Sequence, residues 1–190
     1  VPGSFTATLY QRHNGELTAL GTQSFKVKRL EHSPEHSSSP EQVLAFQSET
    51  VQLSQSVAAA DKVFKDLGSR LKHLRVSLTR TTADVEPLQQ RLDAIQSSLD
   101  VLKVKLLGDS SVTSRNEAAA WSVKQRVSRL FMHWNSQFDV PGTYERSMDI
   151  ARSEFGSVLT DLGVIGATLD KLESDADAIG VPWTPGREIR

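Results

Sequence analysis

The feature that most constrains this chain is a long apolar repeat whose steps alternate between four and three residues. Its first run comprises Phe46, Thr50, Leu53, Val57, Ala60, Phe64, Leu67, Leu71, Leu74 and Leu78. An average step of 3.5 residues keeps one stripe of an α-helix facing a partner helix. Ser39, Pro40 and Gln42 form a helix start with a capping box, so the pattern predicts a helix over residues 40–79. Such a helix would be about 58 Å long and would need packing along its whole length.

The same spacing returns three times further along the chain. After Pro87 it predicts a second helix, which carries Leu88, Leu92, Ile95, Leu99, Leu102 and Leu106 and ends at Gly108. A third helix is predicted over residues 116–138, with Ala120, Val123, Val127, Leu130 and Trp134 on one face. A fourth, with Thr143 as N-cap, ends at Gly180 and carries Met148, Ala151, Phe155, Val158, Leu162, Ile165, Leu169, Leu172, Ala176 and Ile179.

Short loops between these helices predict that consecutive helices run antiparallel. The expected fold class is therefore mainly α, an antiparallel bundle of four helices, two long and two shorter, with an N-terminal β-hairpin. In that arrangement the short helices cover only half of each long one. The uncovered halves would form a two-helix stalk, which bears Phe46, Leu53, Ile165, Leu169, Leu172 and Ile179. We expect either the hairpin or a second copy of the chain to cover this stalk, and favour the hairpin.

Residues 1–30 have a different period. Phe5, Ala7 and Leu9 alternate with polar positions, and Asn14-Gly15 is a good reversal dipeptide before a second strand that breaks near Gly21. The predicted organisation is a β-hairpin at 1–30 that ends a β-sandwich, a linker at 31–39, a helical bundle at 40–180 and a C-terminal tail at 181–190. Trp183 is expected to pack back from that tail.

Composition narrows the class of protein. The chain has 190 residues, a net charge of -1 and no cysteine, so nothing favours nucleic-acid binding, disulfides or thiolate metal sites. No apolar run reaches the roughly 20 residues of a membrane span. The chain begins with Val1 rather than Met, which predicts a piece of a longer or processed protein. The compartment is left open, with a secreted or periplasmic parent as one expectation.

The segments VPGSFTATLY and SFKVKRL resemble the last two strands of the sandwich that follows a β-propeller in large BNR-repeat, sortilin-like proteins often labelled glycosyl hydrolases. The helical region is similar as well, with a long helix, a second helix ending near Gly108, a proline at Pro141 and a Gly-x-Pro tail at 180–182. The resemblance implies a C-terminal accessory region. It carries over no catalytic residue, because any propeller lies outside this chain.

Possible sites have plainer explanations. His32 and His36 lack a third ligand, and His13, His73 and His133 are isolated. We interpret Glu173, Asp175 and Asp177 as a solvated helix face, and Gly156, Gly163 and Gly166 as points of close helix approach. Ser110, Ser111 and Ser114 have no nucleophile setting, and Arg126 and Arg129 make too small a basic patch for nucleic acid. The sequence thus predicts no catalytic, cofactor-binding or metal-binding residue.

These observations favour a non-catalytic structural or interaction module. It would dock within a larger propeller-containing protein or associate with itself, without cofactors. One alternative is an accessory part of a parent glycosyl hydrolase that shapes its active site. Another is a carbohydrate- or peptide-binding module that uses Trp121, Trp134 or Trp183.

Overall fold

A computed structural model describes residues 2–28, 38–132 and 139–187. The chain is mainly α, with a two-stranded hairpin at its N-terminus, as the sequence predicts. The predicted linker, including His32 and His36, and the predicted third-helix residues His133 and Trp134 lie outside the described residues.

Strands β1 (Gly3–His13) and β2 (Glu16–Val27) form the hairpin. The Asn14 and Gly15 φ angles of 51° and 91° are those of a two-residue turn with both centres left-handed, whose twist matches the strands. The strands pair antiparallel, with a register shift between Leu9 and Tyr10. The extra residue, Leu20, is on β2 next to the predicted break at Gly21, and β2 continues through this β-bulge.

Helix α1 (Pro40–Leu78) matches its predicted bounds to within one residue. Its start is fixed by a capping box in which the Gln42 backbone N–H donates to Ser39 Oγ at 3.2 Å and the Ser39 backbone N–H donates to Gln42 Oε1 at 2.8 Å. Thr50, the one polar residue in the stripe, is fully buried, and its hydroxyl donates to the Phe46 carbonyl at 2.8 Å. The stripe is therefore unbroken, because the threonine hydroxyl is satisfied within its own helix.

The predicted third helix is shorter than expected. After α2 (Glu86–Leu107) the chain forms one short turn, α3 (Ser110–Thr113), and then α4 (Val123–Leu130). Ser122 is the N-cap of α4 and shares a capping box with Gln125, so the preceding alanines 118–120 stay outside the helix. Helix α5 (Gly142–Ala178) closes the fold, with Pro141 rather than Thr143 as its N-cap.

Ion pairs show how the helices run. Helix α5 is parallel to α1, because Arg152 pairs with Glu49 at 2.7 Å near the start of both helices and Arg70 pairs with Glu173 at 2.5 Å further along. Helix α2 runs opposite to both, since Arg91 pairs with Asp175 at 2.6 Å and Lys105 with Asp161 at 2.8 Å.

Helix α4 continues in the direction of α2. Lys124 pairs with Asp61 and Arg126 with Glu154, both at 2.9 Å, which places α4 beyond the end of α2 along the first halves of α1 and α5. We call α2 followed by α4 the third column. The bundle is thus three columns wide, and the prediction that all consecutive helices alternate in direction is wrong for α2 and α4.

The predicted stalk is absent from the described bundle because the third column runs along both long helices. Leu169 and Leu172 are fully buried, Ile165 is 6% exposed and Leu53 is 9% exposed. Phe46 is half-buried and packs against the core, and Ile179, which follows α5, is 40% exposed. The predicted core positions Leu71 and Leu162 are both buried, at 1% and 6%.

The tail after α5 folds back on the bundle. Ser77 Oγ of α1 donates to the Pro182 carbonyl at 2.6 Å, and Arg187, whose side chain is 1% exposed, donates to the same carbonyl at 2.9 Å. The prediction that Trp183 packs back from the tail is wrong, because its side chain is 54% exposed. Its Nε1–H donates a hydrogen bond to the Arg187 carbonyl at 3.1 Å. Val181, Thr184 and Arg187 fill that role instead.

Candidate functional site

The hairpin carries an exposed apolar surface. Phe5 pairs with Phe25 across the strands, with their ring centroids 6.0 Å apart, and the same face carries Leu9 and Val27. These four side chains are between 41% and 67% exposed. Odd-numbered residues of β1 share this face because side chains alternate along a strand. We call this surface, made of Phe5, Leu9, Phe25 and Val27, the apolar hairpin face.

The opposite face of the hairpin carries hydroxyl groups around Thr6 and Thr8, and the apolar side chains Tyr10 and Leu17 nearer the turn. Thr8 and Thr22 hydroxyls lie 3.1 Å apart and Thr6 and Ser24 hydroxyls 3.4 Å apart, so they form a ladder across the strands. The hydroxyl groups lie directly behind the apolar hairpin face, so over residues 3–9 of β1 the hairpin has the two unlike faces of a sheet that packs on one side only.

Within the part of the chain that the structure describes, neither strand contacts a helix. The expectation that the hairpin covers the long helices is therefore wrong. The physical reason is that the third column already fills the place the hairpin would take, as the burial of Leu169 and Leu172 shows. The apolar hairpin face is left without a cover among the described residues.

A second candidate site lies between the end of α2 and the start of α4. A cavity of about 450 Å³ opens there, with Leu107, Trp121 and Met132 on its apolar side and Lys124, Ser128 and Arg129 on its polar side. We call it the Trp121 groove. The Arg129 guanidinium carbon lies 4.6 Å from the Trp121 ring centroid and that of Arg126 lies 6.0 Å away, both within cation–π range. Trp121 is 44% exposed.

The acidic cluster near the end of α5 is occupied by internal ion pairs. Glu173 is only 5% exposed and accepts hydrogen bonds from Arg70 Nε and Nη2, while Asp175 and Asp177 pair with Arg91 and Arg187. Hydrogen bonds from Arg70 to Glu173, and then to Asp170, raise the arginine's pKa, against the opposing effect of its burial. The interpretation of these acids as a solvated face is wrong for Glu173. The cluster joins α1, α2 and the tail to α5.

A buried carboxylate fixes α4 to α1. Asp61 is 7% exposed and lies 2.9 Å from Lys124 Nζ and 3.1 Å from Lys65 Nζ. The hydrogen bond from Lys124 is the largest cause that lowers the Asp61 pKa, which means that the carboxylate is charged in the folded chain. Lys65 reaches Asp61 from the next turn of α1, whereas Lys124 reaches it from α4, so the second ion pair joins the two helices.

The other residues that the sequence singled out do not assemble into a site. His13 and His73 are exposed, and the exposed Ser111 donates from its backbone N–H and hydroxyl to Asp109 as part of the start of α3. A Cβ added to Gly166 would lie 3.9 Å from Leu67 Cδ2, an ordinary van der Waals distance, so the prediction of an approach close enough to need glycine is wrong there. Gly156 and Gly163 face open space, and for them that prediction is wrong.

Among the described residues, no three His, Asp or Glu side chains are grouped so as to hold a metal ion. No described helix has both the length and the apolar character needed to cross a membrane. Compared with known proteins, the chain matches no family model, no curated protein and no solved structure.

Proposed function

We propose that this chain is a non-catalytic structural and interaction module whose hairpin docks against a β-sheet from outside the chain. The observation that carries the proposal is the uncovered apolar hairpin face, with Phe5 and Phe25 stacked at its centre. An isolated two-stranded hairpin is marginal in water and gains stability when it packs on a further sheet. The bundle does not supply that surface within the described residues.

The size of the face favours a sheet of the same larger protein over a second copy of the hairpin, because a covalently linked sheet does not need the area of an interface between separate molecules. From Gly3 to Leu9 it extends about 20 Å along the strands and about 10 Å across them, on the order of 200 Å². Two such faces packed together would bury about 400 Å², well below the roughly 1,000 Å² of a specific interface. A partner sheet can bury the face and also hydrogen-bond to a hairpin edge, because both outer edges have unpaired backbone groups.

The resemblance to the end of a sandwich in propeller-containing proteins supports the same partner. On this proposal the three-column bundle is the accessory region of a larger protein, and the hairpin contributes the last two strands of a sandwich. The chain by itself then hydrolyses no glycoside, ester or peptide. Turnover in a hydrolase panel that one Asp or Glu substitution abolishes would contradict this part of the proposal.

The size of the natural protein is the first test. An antibody raised against the helical bundle should detect, in cells that express the gene, a protein far heavier than the 20.9 kDa of this chain. A natural protein of that same mass would contradict the proposal of a larger parent.

Hydrogen exchange tests the docking itself. Amides of β1 and β2 should exchange much more slowly in the larger protein than in the chain alone. Phe25→Ser should remove that protection, because Phe25 lies on the apolar hairpin face. Tyr10→Ser is the matched control, an aromatic residue of similar exposure on the opposite face, at 56% against 49%. Equal exchange of the hairpin in both settings would refute the docking.

A further inference from the structure

The Trp121 groove has a charge that the chain does not neutralise. Lys124 is paired with Asp61 and Arg126 with Glu154. Arg129, by contrast, meets no carboxylate in the described part of the chain, where its contact is the Trp121 ring at 4.6 Å. The groove therefore presents a guanidinium that has no carboxylate partner among the described residues and lies over the indole ring of Trp121.

That geometry suits a carboxylate. A guanidinium stacked on an aromatic ring still has its N–H edge free, and that planar edge matches the two oxygens of a carboxylate. The stack also limits the rotation of the arginine, so less side-chain entropy is lost when an anion binds. Lys124 and Ser128 add further donors beside it.

The remaining walls define the rest of the ligand. Leu107 and Met132 lie beside Trp121, and Met132 is 69% exposed, so the groove offers an adaptable apolar surface next to the cation. A sugar would need acceptors for its hydroxyls, but Gln125 Oε1 already accepts from the Ser122 backbone N–H at 2.9 Å and from its hydroxyl at 3.2 Å. The lining favours a peptide over a sugar.

We propose that the Trp121 groove binds a short acidic peptide segment, with a Glu or Asp carboxylate on Arg129 and an adjacent apolar side chain against Trp121 and Met132. The volume of about 450 Å³ fits two or three residues of such a segment. This site is separate from the apolar hairpin face, and the proposal does not depend on hairpin docking.

Isothermal titration of the full chain tests this proposal with the blocked peptide Gly-Leu-Glu-Leu-Gly and its Gln-for-Glu counterpart. The Glu peptide should bind about tenfold tighter or more, as expected for a charge-assisted hydrogen bond. Arg129→Gln should abolish that preference. Arg146→Gln, which removes an exposed charge of α5, should preserve it and serves as the matched control.

Circular dichroism of each variant establishes that the helices are intact, so a loss of binding reports on the groove. The proposal is overturned if the two peptides bind equally, if neither binds, or if Arg129→Gln keeps the preference. It is also overturned if an oligogalacturonate binds in the groove while the Glu peptide does not, because the site would then be one for acidic sugars.

Discussion

Replacing Leu169 by Ala tests the three-column packing most sharply. Leu169 is fully buried, yet an antiparallel four-helix arrangement would leave it on an open stalk. The substitution removes three carbon atoms, worth about 2.4 kcal/mol at ~0.8 kcal/mol for each buried methylene. The cavity left behind brings the loss to about 3–5 kcal/mol, the range of large-to-small core changes.

Leu159→Ala is the matched control, because it makes the same change in the same helix at a side chain that is 50% exposed. It should cost less than about 0.5 kcal/mol, as surface substitutions do. Denaturant unfolding followed by far-ultraviolet circular dichroism measures both. In a chain of this size the buried change should lower the melting temperature by about 6–20 °C. A Leu169→Ala cost as small as that of Leu159→Ala would refute the packing.

Three further expectations concern Asp61, the Arg70–Glu173 ion pair and Gly186. The pKa of Asp61 is lower in the folded chain than in the unfolded chain, where it is about 4. The charged carboxylate should therefore add to the free energy of unfolding above about pH 4, and this contribution should be lost as the pH falls through the folded pKa. Asp61→Asn should accordingly flatten the acid side of a plot of unfolding free energy against pH. Arg70→Met should cost about 3–5 kcal/mol in unfolding because it leaves the buried Glu173 unpaired, and adding Glu173→Met should recover much of that loss in a double-mutant cycle. Gly186→Ala should lower the melting temperature more than Gly180→Ala. Both glycines have a positive φ, but only at Gly186 would the added Cβ lie 2.7 Å from Arg70 Cγ.

The stripes of the helices were predictable because burial follows the four-three spacing. All six apolar positions predicted for the second helix are buried, and so are nine of the ten for the last. The directions of the helices were not predictable in the same way, because a stripe of this spacing packs equally well against a parallel or an antiparallel partner.

The error in the predicted helix directions comes from the predicted start of the third helix. A helix that began at residue 116 would follow Gly108 after only a short loop, and it would therefore run antiparallel to α2. The helix starts at Val123, so residues 108–122 are long enough to lead the chain onward along the same column. The capping box of Ser122 and Gln125 was the signal that could have located this start, but the alanine run before it is also a strong helix former.

The candidate surfaces depend on three-dimensional placement that the sequence shows only in part. The alternation of Phe5, Ala7 and Leu9 predicted an apolar strand face, but whether the bundle covers it depends on the course of the third column. In the sequence Trp121 is only a few residues from Arg126 and Arg129, yet it precedes α4 and lies outside the spacing of that helix. Its stacking on Arg129 follows from the path of the loop into α4.

The central claim is that the hairpin is no part of the bundle and keeps its apolar face for a partner. Thermal melting of the chain without residues 1–30, beside the full chain, tests this most directly. The bundle should melt within about 1 °C of the full chain, equivalent to less than about 0.5 kcal/mol, because no described contact joins the strands to the helices. A fall of several degrees on deletion would show that the hairpin packs on the bundle and would contradict the account.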